Sequence, residues 1–145
     1  MTAEVLLRDA CVLIAEDDAE DLFLMQRALR QLQPALRMAA ARDGIELFEY
    51  LQRCAADTLP GLILVDLNMP RMDGREVLRQ LHRDTRYAAV PVVVMSTSVE
   101  PEDFRFASEH GARQMLSKPE VFSEMVLRLS VLLKEHLGVD QAGER

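Results

Sequence analysis

The chain has 145 residues, 49% of them hydrophobic and 28% charged, a balance that suits one folded domain and argues against disorder. Its 24 acids against 17 bases leave a net charge of −7, which excludes a nucleic-acid surface built on clustered Lys and Arg. No apolar run approaches the ~20 residues of a membrane-spanning helix. The opening MTAEVLLRDA has no basic stretch before its short apolar one, so neither export nor membrane insertion is expected and the chain reads as cytoplasmic. Cys11 and Cys54 lack the spacing of a zinc site or a disulfide framework and read as reduced thiols.

Five short apolar runs alternate with helical repeats. Cys11 to Ala15 is the first run, after an extension over residues 1–9. Leu22, Met25, Leu29 and Leu32 then recur at three and four, one face of a helix with Asp18 as its N-cap. Leu36 to Ala40 is a weaker run, and Asp43 with Glu46 has the form of a capping box ahead of Leu47, Phe48 and Leu51. Leu62 to Val65 and Val92 to Met95 are continuous and aliphatic, the mark of strands covered on both faces. Between them Val77, Leu78 and Leu81 predict a helix ending near Arg83. Pro101 suits the first turn of a fourth helix and Gly111 its stop. Gln114 to Leu116 is the last run, an edge strand like the second. Phe122, Met125, Leu129 and Leu132 predict a fifth helix to about Leu137, with Gly138 to Arg145 a frayed polar tail. Alternating strands and helices imply a doubly wound α/β fold with a five-stranded parallel sheet, whose ligands bind beyond the carboxyl ends of the strands.

The residues at those ends are sorted by chemistry. Glu16, Asp17 and Asp18 follow the first run, Asp66 and Asn68 the third, Ser96, Thr97 and Ser98 the fourth, and Ser117, Lys118 and Pro119 the fifth. Carboxylates gathered on one edge repel unless a cation joins them, and Mg²⁺ suits oxygen ligands of this kind. A carboxylate beside such an ion can attack phosphorus and become an aspartyl phosphate. The transferred group then needs its charge compensated, by metal, by an ammonium and by a hydroxyl. Taken singly, each residue has an ordinary explanation: acids favoured at a helix N-terminus, a loop-capping Asp, a strand-end Ser, a solvated Lys. Their joint occurrence at successive strand ends is what points to phosphoryl chemistry. Lys118 is one of only two lysines in a chain that otherwise takes its positive charge from arginine.

At VLIAEDD, LILVDLNMPRMDG, VPVVVMSTS and GARQMLSKP the sequence resembles the receiver domain of two-component response regulators, from about Ala10 to Leu137. The EDD ending, the DGREVL continuation and the STS run are most similar to single-domain regulators paired with phytochrome-type histidine kinases. The resemblance implies a flavodoxin-like sheet in the order 2-1-3-4-5 with five helices and no output domain. It implies Asp66 as phosphoacceptor from a phosphohistidine donor. Mg²⁺ (or Mn²⁺) would be held by Asp17, by Glu16 largely through water, by Asp66 and by the backbone carbonyl of Asn68. Ser96 and Lys118 would contact the phosphoryl group, and the Lys118–Pro119 peptide would be cis. Asn68 and Ser98 would set the dephosphorylation rate. Thr97, Ser98, Pro119 and Met115 fall in the expected switch region, the loop Thr97 to Pro101 with the fourth helix and fifth strand. Two departures stand out. Ser96 replaces the commoner Thr, and Met115 replaces the aromatic that many such domains swing inward.

The resemblance implies a signalling module whose catalysis is limited to its own phosphotransfer and hydrolysis. Its partners would be the kinase and, through the fourth helix, fifth strand and fifth helix, a second copy of itself; nucleic acid and membrane are not expected. Phe104 and Phe106 point to nearly opposite sides of the fourth helix, so at least one lies near the surface. Phe23, off its helix's apolar face, either covers the core edge or docks the kinase with the loop Pro119 to Phe122. His82, His110 and His136 have no metal spacing and read as surface residues. A Mg²⁺-dependent phosphatase or mutase would need a second acid where Asn68 stands. A flavin or nucleotide binder would need a Gly- or Ser/Thr-rich loop where Glu16-Asp17-Asp18 stands. A degenerate receiver acting only as a scaffold would not keep the complete set of strand-end residues.

Overall fold

A computed structural model describes residues 11–98 and 100–138. The expected extension over residues 1–9, the tail from 139 onward and Val99 lie outside the described residues. The elements in order are β1 Cys11–Ala15, α1 Ala19–Leu32, β2 Arg37–Ala41, α2 Gly44–Arg53, a 3₁₀ turn Ala56–Thr58, β3 Leu62–Val65, α3 Gly74–Arg83, β4 Val92–Ser96, α4 Pro101–Glu109, β5 Gln114–Ser117 and α5 Phe122–Leu137. All four pairings are parallel and the sheet order is β2-β1-β3-β4-β5. The two weak apolar runs, β2 and β5, are the edges, where one flank needs no covering.

Side-chain alternation along the strands divides the core into two layers. Leu13, Ala15, Ile63, Val65, Val92 and Val94 pack under α2, α3 and Ala107 of α4. Val12, Ile14, Leu62, Leu64, Val93 and Met95 pack under α1 and α5, against Met25, Leu29, Met125 and Leu129. Every residue of β1, β3 and β4 is buried, as their continuous apolar runs require. No helix among the described residues is long and apolar enough to cross a membrane.

The caps follow the sequence, with one displacement. Asp18 accepts from the Asp21 N–H and Asp73 from those of Arg75 and Glu76. Pro101 opens α4, and Gly111, at φ 86°, and Gly138, at φ 67°, take the left-handed conformation beyond α4 and α5. At α2, Asp43 accepts from the Glu46 N–H at 2.9 Å, but the Glu46 carboxylate reaches back to Arg42 N–H at 2.8 Å, one residue beyond the N–H of a reciprocal box. The second oxygen of Asp43 accepts from Arg71 Nε at 2.7 Å, which ties the β2–α2 turn to the loop after β3. Arg71 itself sits at φ 62°, an unusual conformation for a residue with a side chain.

Burial would push the Asp43 carboxyl up, but Arg71 and the Glu46 and Ile45 N–H groups outweigh it and hold its pKa below the usual aspartate range. A carboxyl depressed in the folded state contributes stability above its unfolded pKa, and the contribution is lost as pH falls through the folded value. Asp43→Ala is expected to cost about 1–2 kcal/mol at neutral pH, the scale of a lost N-cap. The difference between variant and wild type should shrink below about pH 4. Urea melts at several pH values check both, and a pH-independent difference would contradict the assignment.

Candidate functional site

The parallel register delivers the strand-end residues to one edge. Ala15 pairs with Val65, so Glu16 and Asp66 leave adjacent strands at the same level. The Asp66 N–H donates to Ala15 O at 3.1 Å, and the Lys118 N–H donates to Ser96 O at 3.0 Å. Gly74, at the start of α3, lets that helix abut the backbone of the acceptor strand. A Cβ there would stand 2.3 Å from the Asp66 carbonyl oxygen and 2.7 Å from Leu67 Cα, so the turn LNMPRMD closes only with glycine at its end.

Lys118 is the hub. Its Nζ lies 2.7 Å from Glu16 Oε1, 2.8 Å from Asp21 Oδ2 and 3.0 Å from Asp66 Oδ2. The Lys118 and Asp66 side chains are each 8% exposed and that of Glu16 not at all. Charges taken this far from water persist only with partners, and these residues partner one another. Burial works against the Lys118 charge, but Asp21, Glu16 and Asp66 together outweigh it and hold the ammonium above the ordinary lysine range. Burial likewise pushes the Glu16 carboxyl up, to about 7, with the Asp66 charge adding to the effect and Lys118 and the Asp18 N–H opposing it.

Asp66 Oδ1 accepts from the Asn68 N–H at 3.2 Å, which orients the carboxylate. Glu16, Asp17 and Asp66 each bring one oxygen to within 4.8 Å of the others, a group that could hold a metal ion. An all-oxygen, all-carboxylate donor set fits a hard divalent cation. Three carboxylates meet the one ammonium, and Asp17 adds a fourth acid beside Glu16 and Asp66, which leaves the cluster with excess negative charge for such an ion to neutralise.

Ser96 is buried at the end of β4, and its oxygen accepts from the Ser98 N–H at 3.2 Å. Thr97 is exposed and Asn68 exposes its side chain, while Pro119 is half-buried next to Lys118. Met115 is half-buried opposite Val94, against the layer under α2, α3 and α4. The Lys118–Pro119 peptide, expected cis, is trans: there is no cis bond among the described residues. Trans is favoured even before proline, and Lys118 reaches its three carboxylates with it.

Asp21 is a site residue that sequence reasoning missed. Three residues past its cap in the first turn of α1, it reads as an acid suited to the helix dipole, yet its carboxylate holds Lys118. Phe23, 59% exposed, does not cover the core edge. Phe104 is exposed, while Phe106 is half-buried, stacked on His110 with ring centroids 4.1 Å apart and capped by Arg79. His136 is half-buried rather than fully at the surface: its Nε2 is buried without a hydrogen-bond partner among the described residues, and burial lowers its pKa.

The sequence profile of the response regulator receiver domain matches residues 12–130. The chain is 33% identical over 129 residues to a probable methanogenesis regulatory protein, FilR2 of Methanothrix harundinacea, covering 88% of this chain and 83% of FilR2. It spans about half the length of other curated relatives, such as the KDP operon transcriptional regulatory protein KdpE of Escherichia coli, 39% identical over 130 residues covering 86% of this chain and 52% of KdpE. Its fold is similar to that of the phosphorylated cyanobacterial phytochrome response regulator RcpA, with a TM-score of 0.80 and 30% identity over 88% of this chain and 94% of RcpA. The Mn²⁺-bound response regulator Rcp1, a protein of Synechocystis, superposes at a TM-score of 0.77 with 28% identity, covering 88% of this chain and 94% of Rcp1. With that profile spanning nearly the whole described fold, the chain belongs to the response regulator receiver domain family.

Proposed function

We propose that the chain accepts a phosphoryl group on Asp66 from a phosphohistidine of a histidine kinase and signals through the changed contacts of its α4–β5–α5 face. The observation that carries the reading is the buried Asp66 carboxylate with Lys118 Nζ at 3.0 Å, inside a ring of further acids. In the transfer an Asp66 oxygen forms the new bond to phosphorus, and the P–N bond to the donor imidazole breaks with its electron pair going to that ring. Lys118 pairs with the incoming phosphoryl oxygens in place of part of its present carboxylate contact, and the Ser96 hydroxyl, already at the strand end, donates to another. Mg²⁺ or Mn²⁺, held by Glu16, Asp17, Asp66 and the Asn68 carbonyl, would neutralise the acidic cluster and the charge on the phosphoryl group. The likeness to RcpA supports a phytochrome-type kinase as donor.

Ser96 movement toward a phosphoryl group pulls on Thr97 and on the β4–α4 loop. Met115, half-buried on the edge strand next to β4, is the side chain that repacks in place of a swinging aromatic. The outward readout is dimerisation: Phe104 on α4 and Leu127 and Val131 on α5 expose apolar surface at 40%, 62% and 47%. Light scattering with beryllofluoride, a phosphoryl mimic, and Mg²⁺ is expected to raise the average mass toward that of a dimer, and Asp66→Asn to show no rise. An unchanged mass for the wild type would refute the dimer as the output.

A further inference from the structure

Behind the strand-end cluster, a second polar chain runs from the β4–α4 loop to α3. The Ser98 hydroxyl donates to Asp103 Oδ2 in the first turn of α4. The other oxygen of Asp103 accepts from Arg75 Nη2 at 2.8 Å and Nε at 3.3 Å. Arg75 is the second residue of α3, where its own N–H is fixed by the Asp73 cap at 3.1 Å. The Ser98 N–H meanwhile rests on Ser96 Oγ at 3.2 Å, and the Glu100 N–H donates to Ser98 Oγ at 3.4 Å. Two carboxylate oxygens, three donor groups and a loop are thus satisfied together. The Ser98 bond and the guanidinium of Arg75 hold the Asp103 carboxyl below the usual aspartate range. Arg75 and Asp103 expose 29% and 14% of their side chains, so this pair is partly shielded from water.

A serine hydroxyl has one proton. While Asp103 accepts it, Ser98 cannot donate it to a phosphoryl oxygen on Asp66, and the lone pair facing Glu100 N–H is also engaged. We propose that Asp103, backed by Arg75, is a positioning residue that withholds the Ser98 hydroxyl from the phosphoryl site and so lengthens the life of the aspartyl phosphate. The inference rests on Asp66 as phosphoacceptor. In hydrolysis a water oxygen bonds to phosphorus and the P–O bond to Asp66 breaks with its electron pair left on the carboxylate. One water proton passes to a phosphate oxygen, giving dihydrogen phosphate. With its N–H resting on Ser96 Oγ at 3.2 Å, Ser98 stands beside the site, so its hydroxyl, once released from Asp103, is free to orient that water; tied to α4, it is not.

The test is the first-order loss of phosphate after loading with acetyl phosphate and Mg²⁺ and removal of the donor. Asp103→Ala is expected to hydrolyse about fivefold faster, the scale of one hydrogen bond gained in the transition state. Ser98→Ala in that background should return the rate to within about twofold of wild type, and Ser98→Ala alone should change it by less than about twofold. Asp103→Asn keeps an oxygen acceptor for the hydroxyl and should stay near wild type, with unchanged circular dichroism as the check on folding. An Asp103→Ala rate equal to wild type, an acceleration that survives removal of Ser98, or an Asn variant as fast as Ala would each overturn the inference. A wild type that takes up no phosphate at all would instead overturn the phosphoacceptor reading and this one with it.

Discussion

Asp66→Asn is expected to take up no phosphoryl group from acetyl phosphate or from a kinase, measured as the mass gain of the intact protein. The substitution is nearly isosteric. An amide oxygen can still accept from the Asn68 N–H that orients Asp66 Oδ1 at 3.2 Å. What disappears is the nucleophile, because an amide has no anionic oxygen to form an acyl phosphate. It also removes one of the three carboxylates gathered within 4.8 Å, so divalent-cation affinity should fall as well. The fold should survive: Lys118 keeps Glu16 Oε1 at 2.7 Å and Asp21 Oδ2 at 2.8 Å as partners. An Asp66→Asn protein that gains a phosphoryl mass at the wild-type rate would contradict the assignment.

Lys118→Ala should have three effects that are not all of one sign, and their combination distinguishes an electrostatic hub from a simple structural lysine. Removing the ammonium strands Glu16 and Asp66 in a site almost closed to water. Breaking a buried ion pair on one side costs about 3 kcal/mol. The same change leaves the acidic cluster without its internal cation, so the variant should bind Mg²⁺ at least as tightly as wild type. Added Mg²⁺ should accordingly raise the melting temperature of Lys118→Ala more than that of wild type. Phosphate uptake should nevertheless fall on the order of a hundredfold, because the charge that meets the phosphoryl oxygens is gone. Thermal melts with and without Mg²⁺, set beside uptake rates, check all three. Normal uptake, or a variant whose stability ignores Mg²⁺, would contradict the hub role.

Much of this architecture is legible in the residues because each signal has one physical reading. Leu62 to Val65 and Val92 to Met95 offer no polar face, so both had to be central strands. Asp18, Pro101 and Gly111 mark helix limits through hydrogen-bond geometry and backbone freedom alone. The meeting of Glu16, Asp17, Asp66 and Lys118 at one edge is legible through the carboxyl-end rule for parallel sheets. What stayed hidden depends on side-chain partners far apart in the chain. Asp21 and Lys118 are 97 residues apart, and Arg75 and Asp103 are 28 apart. No local pattern separates such a pair from ordinary surface charge. His136 is different. It lies four residues past Leu132 and seven past Leu129, in line with the buried stripe of α5, so the helical repeat held a signal of its partial burial. The trans Lys118–Pro119 bond was misread because the expectation came from resemblance and not from the residues themselves.

The measurement that bears most directly on the whole account is the chemical identity of the modified residue. Protein loaded with acetyl phosphate and Mg²⁺ is reduced with borohydride, which converts an aspartyl phosphate to homoserine, and is then sequenced by mass spectrometry. Homoserine is expected at position 66 and at no other aspartate, with none formed when the divalent cation is chelated. Homoserine at Asp17, Asp21 or any other acid, or no conversion in protein that had gained a phosphoryl mass, would contradict it.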